Sequence, residues 1–223
     1  MNDTFLKKVI NDLYIRNNNF DDFILILPNK RPALFIQQEI SSIIKKPSFS
    51  PEIFSIAELF KSFSHLNIED DLRIMIRIYS IYKQISNTKE SFDQFYFWGK
   101  MIASDFDDID KYLVSAKDIF ETIKNINEIE SIFNYLSSSQ VDAIKHFWEG
   151  FDPEKKSKHQ KIFLELWQVL YKIYENLKND LLTSNCAYEG LLQKCVISDL
   201  KSKSTDISTN KIYVFIGFNA LNK

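Results

Sequence analysis

Phe23-Ile24-Leu25-Ile26-Leu27-Pro28-Asn29-Lys30-Arg31-Pro32 carries the clearest sign of the fold class. Five consecutive apolar residues stop at a proline, the pattern of a short strand buried on both faces, as in a parallel sheet covered by helices. The next residues read as helix: Asn29 can cap it, Pro32 suits a first helical turn, and Ile36, Ile40, Ile43 and Ile44 mark a buried face. A strand that turns directly into a helix predicts an α/β core.

The same grammar recurs on both sides. Before the strand, Phe5, Val9, Ile10 and Leu13 repeat at helical spacing over Thr4 to Ile15. After it, Glu52 to Phe54 reads as a second strand entering a helix at Ser55-Ile56-Ala57-Glu58, where Ser55 and Glu58 have the spacing of a capping box. From about residue 56 to 200 no strand is expected and the apolar residues keep helical spacing: Leu72, Met75, Ile78 and Tyr79; Phe95, Trp98, Ile102 and Phe106; then Ile162, Leu166, Val169, Ile173, Leu177 and Leu181. Ser137 with Gln140 opens a further helix by capping-box spacing, and Asp152 to Lys158 reads as an exposed loop. Beyond a polar linker, Lys201 to Asn210, the run Ile212-Tyr213-Val214-Phe215-Ile216 is a third strand of buried type. A strand of that kind so close to the carboxyl terminus leaves few residues to cover it, and the expectation is a polypeptide that continues. No internal repeat is visible, which argues against a helical solenoid.

Composition narrows the function classes. The 223 residues are 45% hydrophobic and carry a formal net charge of −2, so the chain is globular and its overall field announces neither a nucleic acid nor a membrane. Any contact with DNA must be local. No segment approaches the roughly 20 apolar residues that span a bilayer, and the amino terminus lacks the features of a secretory signal. Two cysteines, Cys186 and Cys195, in what reads as one helical region, fit neither a disulfide framework nor a zinc site. A cytoplasmic, reducing home is expected.

Several chemistries are missing. Four glycines supply no GxxxxGK[ST] cradle, and no Gly-rich turn comes after the first strand, so neither ATP nor NAD is an expected ligand and no cofactor is expected. His65, His146 and His159 lie far apart without Glu or Cys at ligand spacing. Trp98, Trp148 and Trp167, with ten tyrosines and nineteen phenylalanines, include possible stacking platforms for single-stranded bases, but the sequence does not identify which. The densest carboxylate run is Asp105-Phe106-Asp107-Asp108-Ile109-Asp110, four acids in six residues. It could hold Mg²⁺ in principle, yet it lacks the glycine and distal Glu of an EF-hand and the strand-borne Lys of a nuclease centre. The expected arrangement puts Phe106 and Ile109 toward the core and the acids toward water or a basic partner. Pro28-Asn29-Lys30-Arg31-Pro32 differs: a strand ending at a helix amino terminus points backbone N–H groups and two cations outward, either to contact phosphates or as a capped turn with solvated cations.

Leu27-Pro28-Asn29-Lys30-Arg31 resembles the superfamily 1 helicase motif in which a strand ends in Thr-Asn-Lys, and Glu52-Ile53-Phe54-Ser55-Ile56-Ala57-Glu58-Leu59-Phe60 is similar to the next motif of those helicases. More closely, LPNKRPALF (27–35), SPEIFSIAELF (50–60), FYFWGKMIASDFDDIDKYL (95–113), FLELWQVLYKIY (163–174), AYEGLLQKCVI (187–197) and YVFIGFNALNK (213–223) resemble the amino-terminal region of Bacteroidetes-type PD-(D/E)XK nuclease family proteins, relatives of the B subunit of AddAB helicase–nucleases. That resemblance implies an inactivated helicase fold. In active helicases the last strand ends in an Asp-Glu pair, whereas here it ends in Phe215-Ile216-Gly217-Phe218, and the nuclease chemistry of the family lies in a carboxy-terminal domain that this chain does not contain.

The expected architecture is therefore α/β, predominantly helical, with a small parallel-sheet core of helicase-like, P-loop NTPase-like type at 1–60 and 205–223 and a large helical insertion at 61–204. The expected function is a non-catalytic module of a subunit that processes DNA double-strand breaks in repair and recombination. It guides DNA, single-stranded and weakly bound, through Asn29, Lys30, Arg31 and Ser55, with Ser55 serving a phosphate or a helix cap. It docks the carboxy-terminal nuclease domain and a helicase subunit. The rival is a protein-interaction scaffold without DNA contact; a metal-dependent nuclease built on Asp105 to Asp110 ranks behind both.

Overall fold

The computed structural model describes residues 4–17, 19–45, 47–87, 89–122, 158–202 and 210–218. They are mostly helical around a small parallel sheet. The chain forms two compact units, Met1–His65 with Cys195–Lys223, and Leu66–Lys194. The expected cap at Ser137, His146, Trp148 and the stretch from Asp152 to Ser157 lie outside the described residues.

In the first unit the order is α1 (Phe5–Asn17), β1 (Phe23–Leu27), α2 (Ala33–Ile43), β2 (Glu52–Ser55) and α3 (Ile56–Ser62), with β5 (Ile212–Phe215) returning from the far end of the chain. The sheet order is β2-β1-β5, both pairs parallel, with Leu25 opposite Ile53 on one side and Val214 on the other. Every residue of β1 is buried, as a central strand with helices over it requires. Ile10 and Leu13 of α1 and Ile36 and Ile40 of α2 close the core around Leu25, Leu27 and Ile216. Each such fully buried aliphatic side chain contributes about 1.5–3 kcal/mol by leaving water.

Three local expectations are corrected here. Phe5 heads the stripe of α1 but is exposed and takes no part in the core cluster, which Ile10 and Leu13 join from farther along the helix. Asn29 does not cap α2: that helix starts at Ala33 behind Pro32, which has no side-chain cap. The run Ile212 to Phe215 has the composition of a buried strand but is an edge strand among the described residues, with Ile212 and Phe215 exposed. An apolar run reports what a strand can bury, not whether a neighbour is there to cover it.

The second unit contains β3 (Asn67–Ile68), α4 (Asp71–Ser86), α5 (Phe92–Lys111), α6 (Ala116–Thr122), α7 (Lys158–Thr183), β4 (Cys186–Ala187) and the first turns of α8 (Glu189–Lys201). Here α4 packs on both α5 and α7, and α6 packs on α7. The buried stripes are Ile74, Met75, Ile78 and Tyr82 of α4, Phe95, Ile102 and Phe106 of α5, and Ile173, Leu177 and Leu181 of α7, whereas Leu72 is exposed. Asp70 caps α4 through a bond from Leu72 N at 2.9 Å, and Ser91 with Gln94 forms a capping box on α5.

The sequence does not predict the pair of strands in this region. β3 and β4 form a two-residue parallel ladder, with Asn67 N donating to Asn185 O at 2.9 Å and Glu69 N to Ala187 O at 3.0 Å. Two residues are too few to show a period of 2, so only the partner reveals the strand. Cys186 accordingly lies in β4 and Cys195 in α8, both half-buried and outside any disulfide, and not in one helix. Arg77 ties the segment together, donating to Asp180 Oδ2 at 2.5 Å and Glu69 Oε2 at 3.0 Å. No helix among the described residues is long and apolar enough to cross a membrane.

Candidate functional site

All three strands of the first unit are parallel, so their carboxyl ends meet at one edge of the sheet, where α/β proteins place ligands. Leu27 stands opposite Ser55 and Ile26 opposite Phe215. The chain beyond β1 is the turn Pro28 to Arg31, and beyond β5 it is Gly217, whose φ of +82° suits a residue without a Cβ. A Cβ on Gly217 would sit 3.9 Å from Cδ of Pro28, so the two strand ends lie side by side.

This edge collects all four residues singled out by sequence. Asn29 is exposed, and its Oδ1 accepts from Arg31 N at 3.0 Å, closing an Asx turn across Lys30. Lys30 forms an ion pair with Glu58 Oε1. Ser55 is the N-cap of α3: its Oγ accepts from Glu58 N at 3.3 Å and donates to Glu58 Oε2 at 2.9 Å, while its own N–H donates to Glu58 Oε2 at 3.0 Å. Of the two roles open to Ser55, the cap is thus occupied. The bond from Lys30, then the Ser55 N–H, hold the Glu58 carboxyl below its ordinary pKa. Arg31 is exposed, and its guanidinium has no partner among the described residues. The capping box of Ser55 and Glu58 is as the sequence spacing predicts; what sequence reasoning misses is that the same carboxylate also neutralises Lys30.

Among the described aromatic residues, Phe35 is the exposed ring closest in sequence to these cations, in the first turn of α2 at 60% exposure, with Leu34 beside it at 60%. Trp98 is half-buried in α5, and the side chains of Trp148, Trp167, His146 and His159 lie outside the described residues.

The acidic run in the second unit departs from expectation. Asp110 is completely buried. Its Oδ1 accepts from Tyr174 Oη at 2.5 Å and from Lys194 Nζ at 2.7 Å, and its Oδ2 accepts from Tyr188 Oη at 2.5 Å. Asp107 Oδ1 accepts from Gly190 N at 2.6 Å, capping α8 from another helix, and its Oδ2 pairs with Lys111 at 2.7 Å. These carboxylates fasten α5 to α7 and α8; only Asp105 and Asp108 face water. The signal was in the phase of the helix: Asp110 comes after Ile102 and Phe106 at steps of four and therefore falls on the buried stripe. Its partners, Tyr174, Tyr188 and Lys194, carried no local sign. Among the described residues no group of three or more His, Cys, Asp or Glu is placed to hold a metal ion.

This cluster has a pH signature. Burial, reinforced by bonding to Asp110, pushes the Tyr174 hydroxyl above the ordinary tyrosine range, and burial and the Asp110 charge do the same to Tyr188. For Lys111, burial works against the charge, but bonds to Asp107 and Glu189 outweigh it and raise the pKa. Groups whose pKa is raised on folding contribute their full stability below the unfolded value, about 10 for tyrosine, and lose it as pH climbs toward the folded value. Unfolding free energies from urea titrations between pH 8 and pH 11 are expected to fall, at up to about 1.4 kcal/mol per pH unit for each tyrosine once its unfolded hydroxyl ionises. The Tyr174→Phe/Tyr188→Phe variant should be less stable at pH 8 and show a shallower alkaline slope; equal slopes would contradict the assignment.

No family model matches the chain, and neither a curated protein nor a solved structure shows significant similarity to it.

Proposed function

We propose that this chain is a non-catalytic, helicase-like module of a DNA-break-processing helicase–nuclease subunit, which contacts the phosphate backbone of DNA at the carboxyl edge of its parallel sheet. The observation that carries the reading is the Arg31 guanidinium, without a partner among the described residues and next in sequence to Lys30 in the Asn29 turn, at the edge where three strand ends meet. Arg31 is the standing phosphate contact, and Lys30 joins it by exchanging Glu58 for a phosphate oxygen. A guanidinium suits that role because its fork of donors matches two phosphate oxygens. Asn29 positions the pair through the backbone, and Ser55 acts as the cap that keeps Glu58 in place. With no phosphate cradle in the sequence and no acid pair after the last strand, the module hydrolyses no nucleotide and needs no cofactor. The cytoplasm is its proposed location, and a carboxy-terminal nuclease domain and a helicase subunit are its proposed protein partners.

The test is fluorescence anisotropy of labelled single-stranded DNA at low and moderate salt. Wild type should bind weakly with a salt-sensitive affinity, and Lys30→Ala/Arg31→Ala should abolish binding. Glu58→Gln keeps the N3 cap acceptor but frees Lys30, so it should bind more tightly, with a salt slope steeper by about 0.7 for one further phosphate. Wild type that fails to bind at low salt would sink the reading.

One observation favours a scaffold instead: Tyr96, Phe97 and Met101 stand exposed on α5, and side chains of that size at a helix surface suit a protein partner. Under that reading substitution of these residues, not of Lys30 and Arg31, would break the complex with the partner.

A further inference from the structure

We propose that the outer face of α5 is a docking site for a basic amphipathic helix of a protein partner. The inference rests on the scaffold observation for this helix and is independent of the phosphate contact. Phe95, Ile102, Phe106 and Ile109 turn one side of α5 into the core, which leaves the opposite side to solvent. On that side Asp93, Phe97, Met101 and Asp105 follow one another at steps of four, and Asp108 comes three residues later. Phe97 is 66% and Met101 42% exposed. The Phe97 ring packs edge-on against Trp98, centroids 5.5 Å apart, which braces it at the surface. The inner half of the acidic run is neutralised, Asp107 by Lys111 and Asp110 by Lys194. The outer half is not: among the described residues Asp93, Asp105 and Asp108 have no ion-pair partner. Partial burial of the Asp105 carboxyl, then the charge of Asp108, pushes its pKa up, a repulsion that a cation brought to this face would relieve.

Charge and shape together select the occupant. Along the axis an apolar pair lies between acids, with Asp93 and Asp105 about 18 Å apart at the helical rise. The complement is a helix whose apolar middle packs on Phe97 and Met101 and whose Lys or Arg residues near each end meet the acids and fix the register. Lys100 is the one cation of α5 on this side, because Lys111 is tied to Asp107 and Glu189. The face is therefore net negative and repels a nucleic acid or an anionic membrane. A second copy of the chain fits no better, since a two-fold axis across this face sets acids against acids. A small apolar ligand gains little from a convex helix surface that cannot enclose it.

The experiment titrates the full chain at low salt against two labelled helical peptides, both apolar at the centre, one Lys-rich and the other Glu-rich at its ends. Wild type is expected to bind the Lys peptide in preference to the Glu peptide. Asp105→Lys/Asp108→Lys should weaken the Lys peptide by about 10-fold and strengthen the Glu peptide. Phe97→Ser/Met101→Ser should abolish binding of the Lys peptide while the urea midpoint stays at the wild-type value, as expected for exposed positions. Asp12→Lys/Glu52→Lys alters net charge by the same amount in the first unit and should leave binding unchanged; a loss as large as that at positions 105 and 108 would overturn the site in favour of bulk charge. Loss of binding in the Phe97/Met101 variant but none in the Asp105/Asp108 variant would overturn the basic partner and leave the scaffold face standing. Wild type that binds neither peptide more tightly than about 1 mM would overturn docking on α5, whereas the phosphate contact stands or falls by the DNA titration alone.

Discussion

Gly190→Ala is expected to destabilise the Leu66–Lys194 unit by about 3 kcal/mol or more, beyond the usual range for one added methyl group. A Cβ at this position would fall far inside van der Waals contact of the Asp107 carbonyl oxygen and 2.9 Å from Asp107 Oδ1. The first obstacle is backbone within α5 and cannot swing aside as a side-chain tip would. The bond that draws the two helices together, Gly190 N to Asp107 Oδ1 at 2.6 Å, is also the one that the methyl group would pry apart. Relief by withdrawal of α8 would further strain Tyr188 and Lys194 against Asp110. Native domains are stable by only about 5–15 kcal/mol, so a loss of this size should lower the urea midpoint visibly in circular dichroism. A midpoint equal to that of wild type would mean that α8 does not approach α5 this closely.

Asp110→Ala should cost a comparable amount, about 3 kcal/mol, because breaking a buried ionic cluster leaves its other members without partners. Two buried tyrosine hydroxyls lose their acceptor, and Lys194, whose side chain is 30% exposed, loses its anion but regains some water. That partial exposure is the reason to expect the lower end of the range measured for fully buried pairs. Asp110→Asn keeps the shape and one acceptor oxygen, and its loss should be intermediate. Asp108→Ala, two positions earlier in the same run but exposed, should stay within about 0.5 kcal/mol of wild type. Urea unfolding of the three variants side by side decides the matter: equal losses at positions 108 and 110 would show that the run acts only as solvated charge. Neither Gly190 nor Asp110 belongs to the sheet edge of the first unit, so neither substitution is aimed at nucleic-acid binding.

The candidate edge was legible in the sequence to the extent that it is local. Pro28 to Pro32 is contiguous, and the position of a turn at the end of a buried strand is a consequence of the strand itself. The state of its charges was not legible. Lys30 looks solvated in the sequence because nothing within a helical turn of it is acidic, yet β2 and α3 bring Glu58 against it. One of two cations is thus already matched, and under the proposed phosphate contact Arg31 would lead and Glu58 would compete with phosphate for Lys30.

Features that repeat within a few residues are written in the chain itself. The five-residue run Phe23 to Leu27 specifies a central parallel strand, the Ser55 and Glu58 spacing specifies a helix start, and the stripes of α4, α5 and α7 specify which faces are buried. In each case the cause is local, since helix and strand periods and the unsatisfied N–H groups of a helix end are properties of the nearby chain. Packing between distant segments sets the rest: the β3–β4 ladder, the edge position of β5, the Lys30–Glu58 pair and the burial of Asp110 beneath two tyrosines and a lysine. Of these only the burial of Asp110 has a local sign, its place on the stripe of Ile102 and Phe106; its partners and the other three features have none in the neighbouring residues. A carboxylate on a buried helical stripe is stable only if donors arrive from elsewhere, and the fold supplies them from α7, the start of α8 and the residue between β4 and α8.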